Sequence, residues 1–405
     1  MTKGFTQNCT ASDESCTGSY QQDRVDILRE YADYSWSLDP THYAIFEHLG
    51  SNFEEQQWAN YRIAETPSKG VMMWGKLTDN YNNLSMGFAS NISGMTSSSR
   101  GFTANRLMGY AESHDEERLM YKNLQFGNST NSAHNVKNLN VALSRMSAIG
   151  AVSLLIPGPK MIWQFGELGW EYSIFTCNNG TVNTSNDAIA GDCKLDSKPQ
   201  PQWVSSWLDN TNRNAVYTNW AKMITLKQAE PVFSGTAVVS NTSSLFPNIK
   251  ITNSNLLATQ LKDVLIIANF DVTTQSVATG FPYTGTWYNL MDNTSITVTN
   301  TTTPISLPAG EFRIYGNKTA ALAIASFESN TDVNLYPNPS QGNFLINAAA
   351  KQVLIYNMIG QLVKEFKGDF GTNYNYGINE LTTGTYLVKV VGEDNKASTL
   401  KLIKQ

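Results

Sequence analysis

No apolar run in these 405 residues reaches the roughly 18–20 residues that a membrane-spanning helix requires, so a helical membrane span is excluded. Positive charge is also scarce. Lys and Arg number 29 against 34 Asp and Glu, a net charge of -5, which leaves no basic footprint for nucleic acid. Histidine and cysteine number four each. The histidines are scattered and the cysteines lack the Cys-x-x-Cys spacing of a zinc site, so no metal centre is assigned. Met1 to Val25 contains no apolar stretch of the signal-peptide kind.

Hydrophobic residues make up 41% of the chain, enough for packed cores, and the length predicts two or three domains. Aromatics reach 11% against 16% charged residues, a balance that suits neutral ligands stacked on rings as well as aromatic cores. Cys9 and Cys16 stand close together, as do Cys177 and Cys193, each pair in a Ser/Thr/Asn/Gly-rich stretch. Both pairs predict short loops closed by disulfides in an oxidising compartment. An exported protein without an export leader implies a missing front end.

Apolar periodicity predicts a helix over 20–39, stopped by Asp39-Pro40, and a strand ending at Glu47. A helix over 53–65, a strand at 70–75, a Ser/Asn/Gly loop at 82–105 and a strand ending near Asp115 come next. A helix at 135–150, a short buried strand at 159–165 and a helix at 212–229 complete the alternation. Strands alternating with helices imply βα units about a parallel sheet. After Glu230-Pro231 the chain turns Thr/Ser/Val/Asn-rich, with alternating runs at 263–270, 285–290 and 310–315 that predict an antiparallel β-sandwich. Residues 317–331 read as a linker, and 332–405 as a small all-β module.

Two of the predicted strands end in carboxylates: Tyr43-Ala-Ile-Phe-Glu47-His48 and Tyr110-Ala-Glu-Ser-His114-Asp115. Glycoside hydrolysis needs one carboxyl to protonate the leaving oxygen and others to meet oxocarbenium charge, and adjacent parallel strand ends deliver both to one face. These segments resemble the strand-five and strand-seven motifs of the α-amylase family of glycoside hydrolases. Ile156-Pro-Gly-Pro-Lys-Met-Ile-Trp-Gln-Phe-Gly-Glu167 is similar to its strand-eight segment. The resemblance implies a partial (β/α)8 TIM barrel, strands five to eight, over 1–230, with the sandwich at 231–316.

It also implies roles. Glu47 would be the general acid/base, Asp115 the transition-state stabiliser, and His114 a hydrogen-bonding partner of sugar hydroxyls. His48, Trp74 and Lys3 would bind substrate, and Trp163 and Trp170 are further candidate sugar platforms. Glu112, Glu116, Glu117 and Arg118 read as solvated charge and helix-start acids. The substrate would be an α-1,4-glucan, cleaved with retention. A non-catalytic glucan-binding protein and a transglycosylase or branching enzyme are the alternatives.

The opening Met1-Thr2-Lys3-Gly4-Phe5 resembles the segment immediately after the family's strand-four nucleophile, which stands in a pattern like Gly-Phe-Arg-x-Asp. That aspartate would stand just before Met1, so the chain reads as a fragment, inactive alone. Members often bind structural calcium, but the strand-three ligand region is absent and no cofactor is assigned. The tail, with Leu335-Tyr-Pro-Asn-Pro-Ser-Gln-Gly-Asn-Phe344, Leu381-Thr-Thr-Gly-Thr-Tyr-Leu-Val388 and Lys401-Leu-Ile-Lys-Gln405, resembles the carboxy-terminal sorting domain of the type IX secretion system. This implies the secretion machinery as partner and a secreted or cell-surface location in a Bacteroidota-type bacterium.

Overall fold

A computed structural model describes residues 2–177, 181–182, 206–320, 333–357, 361–392 and 397–405. The chain divides into two compact units, 1–323 and 324–405.

The first unit opens with a short helix α1 (Glu14–Gly18) and the longer α2 (Gln22–Leu38). Val25, Leu28, Ala32 and Trp36 are spaced to form one buried stripe on α2. They pack on Trp58, Val71, Met73 and Leu107. Strand β1 (Ile45–Phe46) leads into α3 (Asn52–Ala59), β2 (Met72–Lys76), α4 (Thr78–Met86) and β3 (Leu107–Tyr110). The three strands form one parallel sheet in the order β1-β2-β3, with Phe46 opposite Met73 and Gly75 opposite Gly109. Parallel neighbours need crossovers, and helices α3 and α4 supply them.

Three expectations change here. The helix expected at 53–65 stops at Ala59, since Arg62 has a left-handed φ of 54°. The stretch expected as a loop from 82 is helical to Met86, and Gly87 at φ 90° closes it. The strand expected at 159–165 contributes only a parallel bridge from Lys160 to Gly109. Pro157 and Pro159 have no N–H to offer a ladder, and Gly158 (φ 94°) and Phe165 (φ 61°) turn the chain at either end.

Beyond the sheet lie α5 (Leu119–Phe126), α6 (Leu139–Ser153) and α7 (Thr211–Ala229). Asn210 starts α7 by accepting from the amides of Asn212 and Arg213 at 3.0 and 3.2 Å. Eight strands complete the unit: β4 (Thr236–Ser240), β5 (Asn248–Thr252), β6 (Asp263–Ala268), β7 (Gln275–Val277), β8 (Gly285–Asn289), β9 (Ser295–Val298), β10 (Ile305–Leu307) and β11 (Phe312–Gly316). They form an antiparallel sheet ordered β4-β5-β6-β11-β8-β9 and a β10-β7 pair.

Strand β6 is buried along its whole length. Its alternation sends Val264, Ile266 and Ala268 into the cluster with Met146, Val152, Trp220 and Met223. Leu265 and Ile267 go to the other face, with Val277, Trp287 and Leu307. Helices α6 and α7 thus share a core with the sheet, and the expected break at 230/231 does not separate compact units. The expected linker begins inside this unit too: Asn317 Oδ1 accepts from the amides of Lys262 and Asp263 at 2.9 and 3.1 Å. The rest of that linker, from 321, lies outside the described residues.

The second unit is all β. Strands β12 (Leu335–Tyr336), β13 (Asn343–Ile346) and β16 (Asn375–Gly377) form one sheet. Strands β14 (Ala350–Asn357), β15 (Leu362–Phe370), β17 (Gly384–Val391) and β18 (Ala397–Lys404) form another, ordered β15-β14-β17-β18. Phe344, Ile346, Val353, Ile355, Tyr376, Val388 and Leu402 fill the core. Asn338 joins two of the motifs read from the sequence. Its side chain donates to the Lys401 carbonyl at 2.7 Å and accepts from the Ile403 amide at 2.8 Å.

Candidate functional site

The parallel sheet has two unlike faces. Met73 and Leu107 point under α2 and α3, while Ile45, Met72, Trp74 and Met108 occupy the opposite face and remain half-buried or exposed. Glu47 leaves the end of β1 on this second side, and the turn after β3 carries His114 and Asp115. Strand ends two places apart in a sheet are roughly 9–10 Å apart at the backbone. The side chains nevertheless converge, with ligating atoms of Glu47, His114 and Asp115 all within 4.8 Å of one another.

Aromatic rings frame the cluster. The His114 ring lies 5.7 Å from Trp74, edge to face, and 5.8 Å from Trp163. Trp74 in turn meets Tyr110 at 5.5 Å. Burial pushes the Tyr110 hydroxyl above its ordinary range, and the carboxylates of Glu116, Glu47 and Asp115 push it further. His114 Nε2 stands 3.3 Å from Asp115 Oδ1, with both side chains about two-fifths exposed. Glu116 is engaged beside them by Lys76 at 2.7 Å and by the Ser113 hydroxyl.

Other expected binding residues are placed differently. His48 is fully buried, with Nδ1 2.6 Å from the Thr2 hydroxyl, Nε2 2.7 Å from Glu54 and the ring edge-on to Trp58 at 5.0 Å. That enclosure leaves no face for a sugar, so His48 supports the strand end instead of contacting ligand. Lys3 lies in the one-turn helix Thr2–Gly4, whose Thr2 amide donates to the Glu47 carbonyl at 3.0 Å. The Lys3 carbonyl accepts from Arg24 at 3.1 Å. Trp170 is only 6% exposed, stacked on Phe165 and edge-on to Trp207, which places it in the core. Of residues 166–200 only those to 177 and 181–182 are described, and Cys193 lies outside the described residues. Cys9 and Cys16 are disulfide-bonded.

Two charged residues read from the sequence as solvated are buried behind the site. Glu112, 6% exposed, accepts from the Leu119 amide at 2.8 Å at the start of α5. Burial raises its carboxyl above the ordinary range. Arg118, 3% exposed, lies between the rings of Trp163 and Trp170 at 5.7 and 5.4 Å. No local pattern marks either residue, because their burial is decided by the segment 163–170 that folds over them.

One imidazole and two carboxylates could ligate a small divalent ion as readily as flank a sugar. Calcium takes six to eight oxygen ligands, and this set does not fit it. Chemically, the cluster places two carboxylates and a nitrogen donor on one open, ring-walled strand end.

Residues 334–405 match the secretion system C-terminal sorting domain. This tail marks the protein for type IX secretion, as an exported or cell-surface protein. No helix among the described residues is long and apolar enough to cross a membrane. Ulvan lyase NLR42 of Nonlabens ulvanivorans is 35% identical over 74 residues, which are 18% of this chain and 14% of that protein. Among solved structures, AmyP in complex with maltose is similar at a TM-score of 0.47 and 12% identity, covering 75% of this chain and 63% of that one. The α-amylase from H. orenii gives 0.45 and 14%, covering 73% and 57%. A pullulanase from Bacillus acidopullulyticus gives 0.45 and 16%, covering 72% and 36%. The chain therefore spans less than two thirds of the length of each.

Proposed function

We propose that the Glu47–His114–Asp115 cluster is part of an α-glucan hydrolysing site of the α-amylase type, acting with retention of configuration. The observation that carries this reading is the convergence of the three side chains, from two strand ends, within 4.8 Å. Glu47 protonates the glycosidic oxygen and later activates water. Asp115 meets the oxocarbenium charge, and His114 holds sugar hydroxyls, with Trp74 as a wall for the ring. Retention further requires a carboxylate nucleophile roughly 5–5.5 Å from the acid. In this reading Glu47 and Asp115 hold the acid and stabiliser roles, and neither is that nucleophile.

The test follows hydrolysis and binding of maltoheptaose side by side. Glu47→Gln should lower hydrolysis by about a thousandfold or more while binding persists. Unchanged hydrolysis removes Glu47 from the role of acid.

A further inference from the structure

Arg118 belongs to a stack of ring and cation contacts that runs over a long path. The Arg213 guanidinium lies 4.5 Å over the Trp207 ring, and Trp207 meets Trp170 at 5.2 Å. Arg118 is held between Trp170 at 5.4 Å and Trp163 at 5.7 Å, and Trp163 reaches His114 at 5.8 Å. The stack runs from the first turn of α7 to the imidazole of the cluster.

The hydrogen bonding of Arg118 agrees with a role played through its flat face. A guanidinium carries five N–H donors in a rigid fork and prefers paired acceptors. Here Nη1 donates to the Gln164 carbonyl at 2.9 Å, while Nε is buried without a partner among the described residues. The group is desolvated chiefly against two indole faces, the setting in which cation–π attraction is strongest. Arg213 anchors the far end by donating to the carbonyls of Leu168 and Gly169 at 2.7 and 2.6 Å and pairing with Glu171 at 2.8 Å.

We infer that Arg118 is a positioning residue: it sets the plane of Trp163, which with Trp74 holds His114 in the orientation the site uses. Arg118 acts on the cluster through Trp163, whose neighbour Gln164 also accepts its hydrogen bond. The consequence for sugar binding rests on the function proposed above, whereas the orientation of His114 does not.

The chain has only four histidines, so their ring protons can be followed individually by NMR in the full-length protein. Arg118→Met keeps the volume and removes the charge and the flat face. It should displace the His114 ring signals, which lie within the ring currents of Trp74 and Trp163, and leave those of His42 and His134 in place. Arg118→Lys, which keeps the charge, should bring the His114 signals part of the way back. Maltotriose binding should weaken about tenfold in Arg118→Met. Should Arg118→Met also disturb His42 and His134, Arg118→Lys carries the test, with a smaller displacement confined to His114 as the expected result. His114 signals unmoved in a folded variant overturn the inference. Failure of the wild type to bind maltotriose tells against the proposed function instead, and the His114 displacement still decides the role of Arg118.

Discussion

The Thr2 hydroxyl lies 2.6 Å from Nδ1 of His48, and both residues are buried. Since the Thr2 amide also donates to the Glu47 carbonyl, the segment before α1 holds the strand end just after the Glu47 side chain. The opposite nitrogen of His48 is closed by Glu54, which also takes a two-pronged contact from Arg24. The half-exposed Glu47 is therefore mounted on a buried polar base, the kind of support that holds a reacting group in place.

Arg24 and Glu54 are both 0% exposed, and breaking a buried pair leaves one charge uncompensated. Glu54→Gln should therefore cost about 3–5 kcal/mol in urea unfolding at neutral pH. Burial alone would raise the Glu54 carboxyl, but the bonds from His48, Arg24 and the Gln21 amide outweigh it and hold it below 4.5. A depressed folded value means that the stabilisation is complete above the unfolded value and lost as pH falls through the folded one. Wild type should converge on Glu54→Gln in acid. Equal stability at neutral pH would contradict this role for the strand base.

Glu112 carries the opposite sign. Its raised carboxyl, shifted chiefly by burial, makes a contribution that is complete below the unfolded value of 4.5 and declines as pH rises through the folded value. Gln at this position keeps an oxygen for the Leu119 amide and removes the titration. Glu112→Gln should thus gain on wild type as pH rises above 4.5, measured as the difference between their urea midpoints. A difference independent of pH would show that burial does not govern this group.

The Cys9–Cys16 bridge closes a loop of sequence separation 7 next to the segment that grips Glu47. Loop-closure entropy for so short a ring gives about 2–3 kcal/mol. Replacing both cysteines by serine should lower unfolding stability by that amount and raise hydrogen exchange at Thr2 and Glu47. Unchanged exchange there would mean that the bridge does not brace the strand end.

Strands β1 and β3 are legible in the chain because a local pattern marks them, an apolar run with a carboxylate beyond it, although β3 stops at Tyr110 and Asp115 lies in the turn that follows. The same holds for β6 and for α7. What escaped reading was set by segments distant in sequence. Arg118 and Glu112 look like solvated charge until Trp163 and Trp170 close over them, and His48 looks like a ligand contact until Thr2, Glu54 and Trp58 enclose it. Helix α4 was hidden by its Asn and Ser content, although Gly87 is a local sign of its end. The run at 159–165 has the apolar character of a strand, but Pro157 and Pro159 deny its start the N–H groups a ladder needs. The shared core of α6, α7 and β6 has no local signature, and the change in composition at 230 does not announce it.

Calorimetric titration of the chain with maltotriose, with cellotriose as control, tests the central claim most directly. An α-glucan site at the Glu47–His114–Asp115 cluster predicts saturable binding of maltotriose, none of cellotriose, and loss of the maltotriose signal in Trp74→Ala. No binding of maltotriose by the folded wild-type chain, or equal binding of both sugars, would contradict it.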